Sequence, residues 1–192
     1  MKKLALVFLG DYKYDARCIN MINTLTECGH SVSIYSTTKN SFLHNNKLIN
    51  EVTINPPSLP VVKYLTWTVR VYRQIRKQSY DVVIAADLYS LLPLVWSFNK
   101  AQIVYDSREL YTKLSVHVNS PIKNKLISLA EALCIKSINK VMVTAKSDLE
   151  YLKSIYSQYK ISYQVVYNYP EKSLIYTKSS FLKNKLNLSN DK

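Results

Sequence analysis

Asp81-Val82-Val83-Ile84-Ala85-Ala86-Asp87-Leu88 is the stretch on which the fold turns. Its apolar core, Val82–Ala86, has no polar alternation, which suits a strand buried on both faces of a sheet. The residues that follow, Leu88–Phe98, are apolar nearly all round and predict a buried helix with Pro93 in its early turns. Strand then helix, both buried, is the unit of a parallel sheet covered on both faces.

The same unit recurs in both directions. Upstream, Leu4–Leu9 is a short continuous apolar run. Asp15 then stands where it can cap a helix whose apolar residues Cys18, Ile19, Ile22 and Leu25 recur at helical spacing. Gly29 ends that helix, Val32–Tyr35 follows as a strand, and Val52–Ile54 as a weaker one. The polar residues Asn40–Asn46 between them predict a loop with a turn of helix. Pro56, Pro57 and Pro60 bar helix until about Val61, after which Leu65, Val69, Tyr72 and Ile75 trace one face as far as Lys77. Downstream, strands are predicted over Gln102–Tyr105, Val141–Thr144 and Tyr163–Tyr167, and helices over Ile122–Ser137 and Ser147–Tyr156. The expected fold is one doubly wound, Rossmann-like α/β domain over residues 1–170, with about seven mainly parallel strands and helices on both faces. Residues 171–192 read as a linker, with a short helix over Ser179–Leu188 and a polar end at Ser189–Lys192.

Composition narrows the partners. The chain has 192 residues, enough for one full core and short for two. No apolar run approaches the ~18 residues that span a bilayer. Lys2 and Lys3 before Leu4–Leu9 imitate a secretion signal, but the run stops at Gly10-Asp11 without a small-residue cleavage site, so a cytoplasmic protein is expected. Cys18, Cys28 and Cys134 fall within predicted helices, and His30, His44 and His117 lie far apart, so no metal site is expected. A net charge of +13 points to an anionic partner: a membrane surface, a nucleic acid or a phosphorylated ligand. Lysine and arginine are spread around the chain without a nucleic-acid-binding signature, which argues against nucleic acid.

In sheets of this kind, ligands bind beyond the carboxyl ends of the strands. Gly10–Arg17, Asp87–Tyr89, Asp106–Tyr111 and Thr144–Ser147 occupy those positions. Only two glycines occur, Gly10 and Gly29, and the first turn reads Gly10-Asp11-Tyr12-Lys13-Tyr14-Asp15. That turn cannot supply the glycine-rich cradle of a dinucleotide or P-loop site, so no cofactor is expected. Arg17 stands either as a ligand contact or as a surface arginine, and Asp87 either as a ligand carboxylate or as a helix cap. Val104-Tyr105-Asp106-Ser107-Arg108-Glu109-Leu110-Tyr111 packs further polar groups into one such turn.

Together these motifs resemble the amino-terminal domain of retaining GT-B glycosyltransferases of the group-1 or family-4-like type. Asp15-Ala16-Arg17-Cys18 is similar to that family's D-x-R-v, and Glu27-Cys28-Gly29-His30-Ser31-Val32 to its a-e-x-G-H-e-V. Asp81–Pro93 and Val104–Tyr111 resemble its D-v-v-h-a-h-D-l-x-x-l-l-P and v-Y-D-S-h-E-l-Y, in the same order. Ala130-Glu131-Ala132-Leu133, Val141-Met142-Val143-Thr144 and Val166-Tyr167-Asn168-Tyr169-Pro170 continue the likeness. The resemblance implies an acceptor-binding domain, with the nucleotide sugar held by a second domain that this chain does not contain. It implies an acceptor that is a glycan or a lipid-linked sugar, and no metal. Arg17, Asp87, Asp106, Arg108, Glu109 and Tyr111 carry over as acceptor-binding candidates, with the catalytic residues unknown. Two positions depart from the family: Ala86 and Arg108 stand where histidines are usual.

Two further expectations complete the reading. The domain is expected to be inactive alone, either as a truncated form of such an enzyme or as one chain of a split enzyme with a separate donor-domain chain; the alternative is a non-catalytic Rossmann-like module that binds a glycan, a membrane surface or a protein. Lys63, Trp67, Arg70 and Lys77, on the helix after the prolines, are either the candidates for contact with an anionic membrane, which would make the protein peripheral there, or a solvated face with Trp67 packed inward.

Overall fold

A computed structural model describes residues 1–37, 46–95, 101–114 and 120–169. Seven strands form one sheet: β1 (Lys3–Val7), β2 (Ser31–Ser36), β3 (Ile49–Thr53), β4 (Val82–Ala85), β5 (Gln102–Ser107), β6 (Lys140–Val143) and β7 (Ser162–Val165). Every neighbouring pair is parallel, in the order β3-β2-β1-β4-β5-β6-β7. The order reverses between β1 and β4, whose ends lie side by side with Val7 opposite Ala85. This is the switch point of a doubly wound, Rossmann-like sheet.

The helices are α1 (Ala16–Glu27), α2 (Pro60–Ile75), α3 (Leu88–Leu91), α4 (Pro121–Ile135) and α5 (Lys146–Ile155). Each forms for a local reason. The side chain of Asp15 accepts from the Cys18 amide and so caps α1, and Gly29, at φ 74°, ends the turn after it. Pro60 opens α2 at the first helical position, where its missing N–H costs nothing. Asp87 caps α3 by accepting from the Ser90 amide at 2.5 Å.

Two apolar layers flank the sheet. On one side Cys18 and Ile22 of α1 pack with Leu6, Ile34, Ile84 and Val104. On the other, α2, α3, α4 and α5 bring Trp67, Val71, Leu91, Ile135 and Leu152 onto Val7, Val83, Tyr105 and Val141. In β1, β2, β4 and β5 the residues facing both layers are buried, which accounts for the unalternating apolar runs of β1 and β4, whereas the edge strands β3 and β7 hold no fully buried residue.

Three expectations are corrected. The buried stripe of α2 is Trp67, Thr68, Val71 and Ile75, whereas Leu65 and Val69 lie outside, 63% and 45% exposed. Trp67, expected at a membrane contact, is fully buried and packs inward. The helix expected over Leu88–Phe98 is regular only to Leu91 and passes into a 3-10 turn over Leu92–Leu94, because Pro93 has no N–H for the ladder; residues 96–100 lie outside the described residues. The loop expected over Asn40–Asn46, nearly all of it, and the tail over 171–192 also lie outside them.

Candidate functional site

The first turn of α1 and the segment after β5 meet at the carboxyl edge of the sheet. Asp15, as cap, fixes the entry of α1, and Arg17 is carried inward over the end of β5. Its Nε donates to Asp106 Oδ2 at 2.8 Å and its Nη2 to Oδ1 at 2.6 Å, while Nη1 donates to the Val166 carbonyl at 2.7 Å. Asp106 is fully buried. Arg108 reaches back to the same carboxylate, with Nε 3.0 Å from Oδ2. Its Nη1 forms an ion pair with Asp15, its Nη2 lies 3.2 Å from Cys18 Sγ, and its guanidinium covers the Phe8 ring at 5.2 Å. Two guanidiniums and two carboxylates therefore close on one another, and the cluster is neutral.

This arrangement reassigns two candidates. Asp106 has no exposed surface, and the guanidinium of Arg17 is engaged by Asp106 and Val166, so Asp106 is closed to a ligand and Arg17 reaches the cleft only as part of its wall. Both act as struts that fix α1, β5 and the residues after β7 relative to one another. Asp87 is likewise buried at 8% exposure and engaged as a cap, and burial raises its carboxyl above the ordinary range. Ser90 ties this cap to the loop after β1, accepting from the Leu9 amide at 3.0 Å. Tyr111 is buried edge-on against Tyr89, whose ring stacks on Tyr64 at 4.5 Å.

A cleft of about 340 Å³ opens to solvent here, lined by Tyr14, Asp15, Ala16, Arg17, Arg108, Glu109, Thr144 and Asn168. Glu109 and Asn168 are exposed, and Thr144 is half-buried. A carboxylate, an amide and a hydroxyl on three different strand ends offer both donors and acceptors to a polyhydroxylated ligand. A phosphate is poorly served. The Cys18 amide at the start of α1 is taken by Asp15 at 2.7 Å, and that carboxylate stands where an anion would approach. The Gly10 turn folds onto its own chain: a Cβ there would lie 2.7 Å from the Phe8 ring.

Ala86, where the resemblance implies a histidine, is fully buried within the α1-side core beside Leu6, Tyr12 and Ile22. Of the membrane candidates besides Trp67, Lys63 is half-buried, Arg70 donates to the Asn55 carbonyl at 2.8 Å, and Lys77 is exposed beyond the end of α2. The ion pair between Arg108 and Asp15 was not foreseen, since the two lie 93 positions apart and only the sheet order joins them. The Tyr64–Tyr89 stack was missed for the same reason.

No known family profile matches the sequence, and no curated protein sequence matches it. Solved structures do share the fold. Sucrose-phosphate synthase from Thermosynechococcus elongatus superposes with a TM-score of 0.74 at 17% identity, over 98% of this chain and 53% of that one. Anabaena HepE, solved with UDP and glucose, gives 0.65 at 15% identity, over 97% of this chain and 50% of its own. WaaG, a glycosyltransferase involved in lipopolysaccharide biosynthesis, gives 0.60 at 14%, over 97% and 52%. The chain thus spans about half the length of these three structures, and has the fold of one half of each.

Proposed function

We propose that this chain is the acceptor-binding half of a glycosyltransferase, and that sugar transfer requires a second, nucleotide-sugar-binding half. The observation that carries this reading is the cleft at the carboxyl edge. It is polar, built on a charge-neutral frame, and lacks a cradle for phosphate, while the fold around it is that of half a glycosyltransferase. Such a cleft suits a glycan or the sugar of a lipid-linked acceptor. Glu109, Thr144 and Asn168 are its ligand contacts, Arg108 and Asp15 form its floor, and Arg17 and Asp106 hold that floor in place. Attachment to an anionic membrane surface, where lipid-linked acceptors reside, belongs to the same reading.

A second reading, a glycan-binding module without catalysis, is favoured by Ala86. A side chain that is apolar and wholly within the core has no proton to give or take.

The test supplies the second half. The chain is fused to the half of HepE that it does not match, and transfer of labelled glucose from UDP-glucose to a panel of glycans is measured. Transfer is expected only from the fusion, and Glu109→Gln is expected to reduce it at least about tenfold with an unchanged melting temperature. Turnover of the nucleotide sugar by the chain alone would overturn the reading. Binding of glycans by a folded fusion that transfers nothing would favour the module.

A further inference from the structure

Helix α4 presents an outward face that none of the described residues covers. Ile122, Leu126, Leu129 and Leu133, spaced four, three and four residues apart, are 77%, 61%, 57% and 52% exposed. That spacing sets them in one stripe along the helix. Lys125 and Lys136 flank the stripe on one side and Lys123 on the other. The helix has one acidic residue, Glu131, and it points inward, 2% exposed, accepting from Tyr105 and Tyr156. The exposed face of α4 is therefore aliphatic and cationic, with no negative charge.

Beside it, between α4, α5 and the 3-10 turn at Tyr111–Lys113, lies a pocket of about 620 Å³. Lys113 and Lys125 line it, together with the Thr112 hydroxyl and Tyr151.

We infer that α4 docks on an anionic lipid surface, its aliphatic stripe sunk to the level of the acyl chains and its lysines meeting the phosphates, one of which the pocket receives. Exposed aliphatic side chains with lysines at their margins suit the lipid interface, the aliphatic groups meeting the acyl chains while the lysines reach the phosphates. Charge decides between occupants. A second copy of the chain would set Lys123, Lys125 and Lys136 against their own kind, and the net charge of +13 opposes self-docking throughout. An anionic bilayer answers both the apolar stripe and the cations. The inference rests on the membrane part of the proposed function. It moves the contact away from α2, where Trp67 is buried and Arg70 is held by Asn55.

The experiment is flotation of the chain with phosphatidylcholine vesicles, with and without phosphatidylglycerol. The wild type is expected to float with the anionic vesicles alone and to be released by salt. Leu126→Ser with Leu129→Ser, which removes aliphatic surface and no charge, is expected to weaken partition at least about tenfold. Lys123→Glu with Lys125→Glu is expected to weaken it as well, and both pairs to leave the melting temperature unchanged. Equal flotation of the serine pair overturns the role of α4 and leaves membrane attachment standing. Failure of the wild type to bind overturns both. A wild-type dimer that the serine pair converts to monomer, without flotation, means that the face is a protein contact.

Discussion

Asp106 shows how far a single residue's chemistry could be read in advance. Its position, just after a buried strand, marks it as belonging to the site, and so does that of Arg17 after the first strand. That the two meet, 89 positions apart, follows only from the sheet order, which sets β5 two places from β1. Hence a residue expected to touch the acceptor is instead a fully buried counter-ion. Its removal would leave Arg17 and Arg108 short of negative charge, and breaking one side of a buried ion pair typically costs about 3–5 kcal/mol. For a chain of this size Asp106→Ala should therefore melt about 10 °C lower by circular dichroism. Glu109→Gln, on an exposed carboxylate, should melt as the wild type does. An unchanged melting temperature for Asp106→Ala would mean that the cluster does not hold the edge together.

Among the elements, strands were legible because burial on both faces leaves uninterrupted apolar runs, and caps because Asp15, Asp87 and Gly29 have defined backbone roles. The face of α2 was misread: its stripe of Leu65, Val69, Tyr72 and Ile75 is as regular as the buried one of Trp67, Val71 and Ile75, and periodicity alone cannot say which turns inward. Contacts between elements were hidden for a related reason. Glu131 joins α4 to β5 through the Tyr105 hydroxyl at 3.3 Å and to α5 through the Tyr156 hydroxyl at 2.9 Å. Burial raises its carboxyl above the ordinary range, against the two hydroxyls that favour the ionised form. The folded chain therefore holds this proton to a higher pH than the unfolded chain does. Stability is fully present below the ordinary glutamate range and falls as pH rises through the raised value. Glu131→Gln cannot ionise and keeps an acceptor for the tyrosines. Urea midpoints between about pH 4 and pH 8 should decline less in the variant than in the wild type. Parallel profiles would show that Glu131 does not ionise against a burial cost.

At the scale of the whole molecule, the doubly wound sheet and its switch point were readable from alternating strands and helices. The polarity of the cleft was readable only in outline, because the residues that line it come from four separate strand ends. In the proposed function the chain binds a sugar acceptor in that cleft and leaves the nucleotide sugar to a second half. Saturation-transfer-difference NMR on the isolated chain, with a panel of oligosaccharides together with UDP-glucose and GDP-mannose, tests both halves of that statement at once. Saturation of glycan protons is expected in the wild type, with its loss in Glu109→Gln and no nucleotide affinity tighter than about millimolar. Micromolar binding of either nucleotide sugar, or glycan saturation that is the same in Glu109→Gln, would contradict the proposed function.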